Sequence, residues 1–190
     1  RRAEAAWRVV GPWVREKEVG TSLPLAPTLT TERLTLRPLR YEDFPAYAAF
    51  LASDRAWGMG GPHGVRTAWE YFCNDTAQWT LLGMGGLMIV PRGQTEPVGQ
   101  VAVCHGPIFP EPELGWFLYD GHEGEGYATE AARALRDWAF DVRRVPTLVS
   151  YVDPGNAASA RVAERLGAVL DQTAPSPDPG DLVYRHRRAA

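Results

Sequence analysis

Long apolar runs are missing from this chain of 190 residues. No stretch approaches the ~20 residues that a membrane-crossing helix needs. A basic excess is missing as well: 20 Lys and Arg stand against 23 Asp and Glu, for a net charge of −3. Proteins that grip phosphate backbones usually carry a basic stripe, so nucleic acid is not the expected partner. The basic clusters Arg1-Arg2 and Arg185 to Arg188 read as solvated ends. Cysteine is scarce, with two residues, Cys73 and Cys104, both among apolar neighbours. That pattern predicts reduced core thiols in a cytoplasmic protein rather than a disulfide framework. The histidines number four, His63, His105, His122 and His186, and no pair has metal-ligand spacing, so no metal site is expected. The N-terminus lacks an uninterrupted apolar core with a cleavage site, and no signal peptide is read there.

What is present suits one globular domain: 45% hydrophobic and 23% charged residues. Residues 1–27 read as an N-terminal extension. A helix there is interrupted at Gly11-Pro12, and "TSLPLAP" reads as a linker. Trp7 and Trp13 would let the extension dock on the body or on a second subunit, as in a homodimer. Residues 28–190 then form a single domain. Alternation in "TERLTLRPL" predicts a strand, and "RYEDFPAYAAFLAS" a helix with Asp43 capping ahead of Pro45. After the Gly-rich "DRAWGMGGPHG", "VRTAWEYFCNDTAQW" returns to helix, with Trp69, Phe72, Cys73 and Trp79 near one face. "GGLMIVPRG", "EPVGQVAVCHG" and "PELGWFLYD" follow as strands. "EGYATEAARALRDWAFDV" and "NAASARVAERLG" are the strongest helices, the second opened by Asn156 and stopped by Gly167. They flank the strand "TLVSYV", and "AVLDQ" and "DLVYRHRR" close the chain. This order argues a mixed α+β sheet with helices on its faces.

The stretch "GHEGEGYATEA" sets three glycines among acidic residues directly before a helix. First-turn amides of a helix have no internal partners, and helix polarity adds about half a positive charge there. Glycines let the backbone curl until several amides converge on one anion, a phosphate or pyrophosphate. Taken alone the loop leaves alternatives open. A dinucleotide fingerprint would want a glycine where Thr129 stands, a nucleoside-triphosphate loop would end in Gly-Lys-Ser/Thr, and a plain structural turn needs neither.

The loop is followed by a second distinctive segment. "GWFLYDGHEGEGYATEA" with "YVDPGNAASARVAERLGA" about thirty residues on resembles the two cofactor-binding segments of the GNAT family of N-acetyltransferases, in its ribosomal-protein-alanine acetyltransferase-like branch. "TERLTLRPLRYEDF" and "PVGQVAV" match the same pattern, and the resemblance covers roughly residues 28–188. It implies a GNAT fold: a mixed sheet of about six to seven strands, splayed at the cofactor site, with four helices. It implies acetyl-CoA as cosubstrate, with an amine, small molecule or protein N-terminus, as acceptor, in a direct ternary-complex transfer. A non-catalytic acyl-CoA-binding module is the alternative.

Residue by residue, the resemblance puts the pantetheine arm on backbone groups of Phe117, Leu118 and Tyr119. The pyrophosphate falls to the amides of Glu123, Gly124, Glu125, Gly126, Tyr127 and Ala128, with the Thr129 hydroxyl beside them. Asn156 meets the cofactor arm and Ser159 faces the thioester. Trp57, Met59, Trp69 and Phe72 are the acceptor-pocket candidates. The chain departs from the family at four places: Gly121 and Glu125 stand where relatives often carry basic or amide side chains, Ala163 where many have a Tyr acid, and Ala168 where an aromatic is usual. With amides doing the binding, acidic side chains that point to solvent are tolerated.

Acetyl transfer needs a neutral amine, donors for the carbonyl oxygen, and little help for a thiolate whose thiol pKa is near 8.5. Glu113, opening the central strand, is the candidate base, acting directly or through water. Ser159 is placed to hydrogen-bond the thiolate, and Tyr151 to serve in either role.

Overall fold

The computed structural model describes residues 26–188. The N-terminal extension expected over residues 1–27, with Trp7 and Trp13, therefore lies almost wholly outside the described residues. The strands are β1 (Leu29–Thr30), β2 (Leu34–Arg37), β3 (Gly86–Pro91), β4 (Gly99–Cys104), β5 (Glu113–Leu118), β6 (Val149–Val152), β7 (Val169–Leu170) and β8 (Leu182–Arg185). The helices are α1 (Phe44–Leu51), α2 (Val65–Leu82), α3 (Tyr127–Asp141) and α4 (Ala157–Arg165). Short 3-10 turns at Tyr41–Asp43 and Asp54–Met59 lead into and out of α1. The sheet has eight strands in the order β1-β2-β3-β4-β5-β6-β8-β7, antiparallel except for β5 beside β6. The extra strand relative to the expected count is the two-residue β1, too short to show alternation.

Period-two alternation sends β3–β5 side chains to two separate cores. Leu87, Ile89, Val101, Val103 and Leu114 pack under α3, whose Ala131, Ala132, Leu135 and Ala139 are fully buried. Alanines there let α3 lie close on the sheet. On the opposite face Met88 and Val90 join Tyr47, Phe50 and Leu51 of α1 and Ala68 and Phe72 of α2. Phe50 stacks flat on Phe117 at 4.4 Å, which seats α1 on β5.

Two local expectations change. Asp43 does not cap α1 through its side chain. Its carboxylate instead grips Arg37 through two 2.7 Å bonds and accepts the Arg40 amide, because a buried carboxylate is better satisfied by a bidentate guanidinium. Cys73 is exposed rather than a core thiol, being on the outer side of α2, while Cys104 is half-buried. Asn156 accepts the Ser159 amide at 3.0 Å and opens α4; Gly167, at φ +78°, ends it in the left-handed region that glycine tolerates.

Candidate active site

The parallel pair β5–β6 is in register at a single position, Glu113 opposite Val149. Just past that point the Ser150 hydroxyl donates to the Leu114 carbonyl at 2.5 Å and accepts from His186 Nε2 at 2.9 Å. From there the strands diverge. The β5 backbone alternates between its neighbours: the Tyr119 amide donates to Val98 on the β4 side, whereas the carbonyls of Pro112 and Leu114 face β6. The peptide groups of Trp116 and Leu118 thus open into the split, and those of Phe117 and Tyr119 turn toward β4. Trp116 was missed in the sequence because the period alone does not say which edge of a strand will be left unpaired.

At the end of the split comes the glycine loop. Gly121, Gly124 and Gly126 all sit near φ +80° (81°, 83° and 80°), a backbone that only glycine adopts readily. The first helical bond of α3 runs from the Glu130 amide to the Gly126 carbonyl, so the Tyr127, Ala128 and Thr129 amides precede it and point outward. Glu123 and Glu125 are exposed. Two arginines offset the acidic chain here. Arg55 pairs with Glu123 and reaches Asp120 at 3.4 Å. Arg33 binds Glu130 at 2.7 Å, donates to the Glu125 carbonyl at 2.9 Å, and lies over the Tyr127 ring. Neither stands near the loop in sequence, which is why both escaped the motif.

On the α1–α2 face, Glu113 shares its side of the sheet with Gly115 and Phe117 of β5 and with Gln100, Ala102 and Cys104 across the register. Glu113 is held up at about pKa 7, first by desolvation, then by Asp181, Asp75 and Asp178. Asp75, from α2, is itself raised to about 6 by burial, even though Gln100 Nε2 donates to Oδ2 at 2.8 Å and Tyr47 at 3.1 Å. Tyr151 stands on the same face as Glu113. Its hydroxyl accepts the Glu111 amide at 3.3 Å, and burial lifts its pKa to about 12, so it is a protonated phenol at neutral pH.

The other expected residues divide into groups. Trp57 packs beside Gly155, where an added Cβ would lie 3.4 Å from the indole; one added at Gly58 would be 3.1 Å from the Asn156 amide nitrogen. The turn that carries Trp57 and Met59 therefore leans on the start of α4. Ser159 sits half-buried in the first turn of α4. Phe72 is 5% exposed and contacts Tyr47 edge-on, so it backs the Asp75 cluster from within the core. Trp69 lies outside it, 42% exposed, against Phe44 and Tyr41. Among the described residues no group of three or more His, Cys, Asp or Glu is arranged to hold a metal, and no helix is long and apolar enough to cross a membrane.

Comparison with known proteins agrees with this geometry. The profile of the acetyltransferase (GNAT) domain matches residues 33–169. The crystal structure of an acetyltransferase from Agrobacterium tumefaciens strain C58 superposes with a TM-score of 0.85 and is 58% identical; the match covers 86% of this chain and 96% of that one. The Bacillus subtilis N-acetyltransferase YnaD is 31% identical over 145 residues, 73% of this chain and 81% of its own length. Another Bacillus subtilis protein, YkkB, is 44% identical over 61 residues, and there the match spans only 36% of the relative's length. The family model spans well over half of the chain, the superposed acetyltransferase shares its fold, and the chain belongs to the GNAT acetyltransferase family.

Proposed function

We propose that the protein transfers an acetyl group from acetyl-CoA to a primary amine held on the Glu113 side of the split. The observation that carries this is the juxtaposition of two halves of one site across β5. One edge of the strand offers the Trp116 and Leu118 peptide groups and leads to the outward amides of Tyr127, Ala128 and Thr129. One face offers a desolvated carboxylate, Glu113. The residues present fit acetyl-CoA: three left-handed glycines form an anion cradle, Asn156 and Ser159 stand at the start of α4, and the acidic side chains of the loop are exposed to solvent.

Acetyl-CoA supplies an acyl group activated as a thioester. In the net reaction a C–N bond replaces the C–S bond, and an amine that arrives as its ammonium loses two protons, one to Glu113 and on to solvent, the other to the leaving thiolate. Glu113, titrating near 7, is matched to accept a proton from an ammonium at neutral pH. Tyr151 keeps its proton and stands on the same side of the sheet as that carboxylate. Backbone N–H groups along the open edge of β5 are the donors available for the carbonyl oxygen. Calorimetry with acetyl-CoA, followed by thiol release against an amine panel, tests the reading. Binding with turnover is expected. Binding without turnover against every amine would leave an acyl-CoA-binding module, and no binding would remove the site.

A further inference from the structure

Three small residues form a trough across the acceptor face: Gly86 of β3 pairs with Ala102 of β4, which pairs with Gly115 of β5. The Gly86 end is filled from above. A Cβ there would collide with the Gln100 amide and come within 3.1 Å of the Asp75 Cβ. The Gly115 end is open, since a Cβ there would meet nothing nearer than Glu113 Oε1 at 3.8 Å. Acceptors with unused lone pairs stand on this face, Gln100 and Asp75 at the Gly86 end and Glu113 at the Gly115 end. Asp75 Oδ2 already takes two bonds, while Oδ1 has a long thiol contact from Cys104 at 3.9 Å, and the Asn74 side chain also acts on the carboxylate. Gln100 is 1% exposed, its Nε2 is spent on Asp75, and its buried Oε1 has no partner. Turning that amide over only exchanges one orphan for another, because the carboxylate needs the donor. Such an orphan in a close-packed site calls for a donor from outside the protein. Glu113 supplies a further acceptor.

An alkylammonium has three N–H donors and no acceptor, which complements Asp75 Oδ1, Gln100 Oε1 and Glu113. Asp178 and Asp181, in the connection before β8, lie close enough to act on Glu113, and Asp153 acts on Asp181. The approach is therefore anionic, a field that gathers cations and repels carboxylates. On the same face Phe117, two residues on from Gly115, packs with Phe50 and Tyr47.

We propose that Asp75, Gln100 and Glu113 form an ammonium-receiving site, and that the acceptor is a small primary amine without a carboxylate, entering as its cation. This rests on the acetyl-transfer reading above and names the substrate class for the same site. It makes Asp75 a residue that holds the acceptor, and leaves Glu113 to take the proton.

The test uses the full chain saturated with CoA and reads amine affinity by calorimetry, so that it does not depend on turnover. Phenethylamine, tyramine and putrescine are compared with their carboxylated counterparts phenylalanine, tyrosine and ornithine, and with a C-terminally amidated hexapeptide bearing a free N-terminus. The expected result is at least 30-fold tighter binding of one or more amines than of its carboxylated partner or of the peptide. Asp75→Asn should weaken that amine at least tenfold and shrink the preference over the amino acid, with CoA affinity unchanged. Gly115→Val, a β-branched residue well suited to a strand, should fill the trough and remove amine binding while CoA still binds. Amino acids or the peptide binding as tightly as the amines overturns the proposal, as does wild-type amine affinity in both variants. Turnover of acetyl-CoA with the peptide, alongside absent amine binding, sinks this inference and leaves acetyl transfer standing. Amine discrimination without any acetyl-CoA binding does the reverse.

Discussion

Replacing Glu113 by Gln should make the protein more stable and less active at once. Glu113 holds its proton up to about pKa 7 in the fold, against an ordinary 4.5, chiefly because burial strips water from the charged form. A carboxyl whose native pKa lies above its unfolded value contributes stability that is fully present at low pH. That contribution is lost as pH rises through about 7, because the unfolded chain ionises more easily. Each tenfold difference in proton affinity is worth about 1.4 kcal/mol, so at pH 8 the ionised side chain costs the fold about 3 kcal/mol. Gln removes the charge but still buries an amide, which leaves a gain of roughly half that. At about 2–4 °C per kcal/mol for a chain of this size, the melting temperature should rise by about 3–6 °C at pH 8 and hardly at all at pH 4.5. Circular dichroism melts at the two pH values read this directly. Thiol-release rates on the same samples should fall about 10²–10⁴-fold at pH 7. The wild-type rate should rise with pH through about 7, whereas the variant's should recover only as the free amine appears: near 8 for an α-amine, above about 10 for an alkylamine. A stabilisation equal at both pH values would mean that Glu113 is not a desolvated carboxylate. A wild-type rate would mean that it is not the base.

Three further outcomes follow from the loop and the split. Gly126→Val should cut acetyl-CoA affinity at least 30-fold in calorimetry while the far-UV spectrum is kept. Gly126 sits at φ +80°, where a β-branched residue is strained, and its Cβ would point to within 3.4 Å of Arg33; unchanged affinity would take the loop out of the site. Glu125→Lys should tighten acetyl-CoA binding by a few-fold at low salt and less at high salt, because an exposed charge near a phosphate is screened; indifference at low salt would place the side chain out of range. Ser150→Ala should lower the melting temperature by roughly 3–8 °C, since it leaves the Leu114 carbonyl and His186 Nε2 without their buried partner. A loss under 1 °C would mean that the hydroxyl does not tie the strands together.

Local signals carried much of this architecture into the sequence. The glycine loop, the alanine stripe of α3 and the Asn156 to Gly167 span of α4 are written within a few residues of where they act, so they could be read directly. Asp75 and Gln100 could not. On α2 and β4 their polarity reads as a solvent-facing position, and only contacts across 25 residues of chain turn them inward. Arg33 and Arg55 were hidden for the same reason: each reaches the loop from more than 60 positions away. Glu113 lay between these cases. Its place at the start of β5 was legible, but its unusual basicity depends first on burial and then on Asp181, Asp75 and Asp178, which come from two other parts of the chain.

The turn at Asp54–Met59 leans on the opening of α4, through Trp57 on Gly155 and Gly58 near Asn156. On the acetyl-transfer reading proposed above, the acceptor side and the donor side of the split then share a partition rather than having separate walls. A guest pressing on one side of a shared partition changes the room on the other, and the free energy of that coupling is the same whichever guest arrives first. The factor by which CoA alters amine affinity must then equal the factor by which amine alters CoA affinity. This places the two substrates in a single thermodynamic cycle, closed by Trp57 and Asn156.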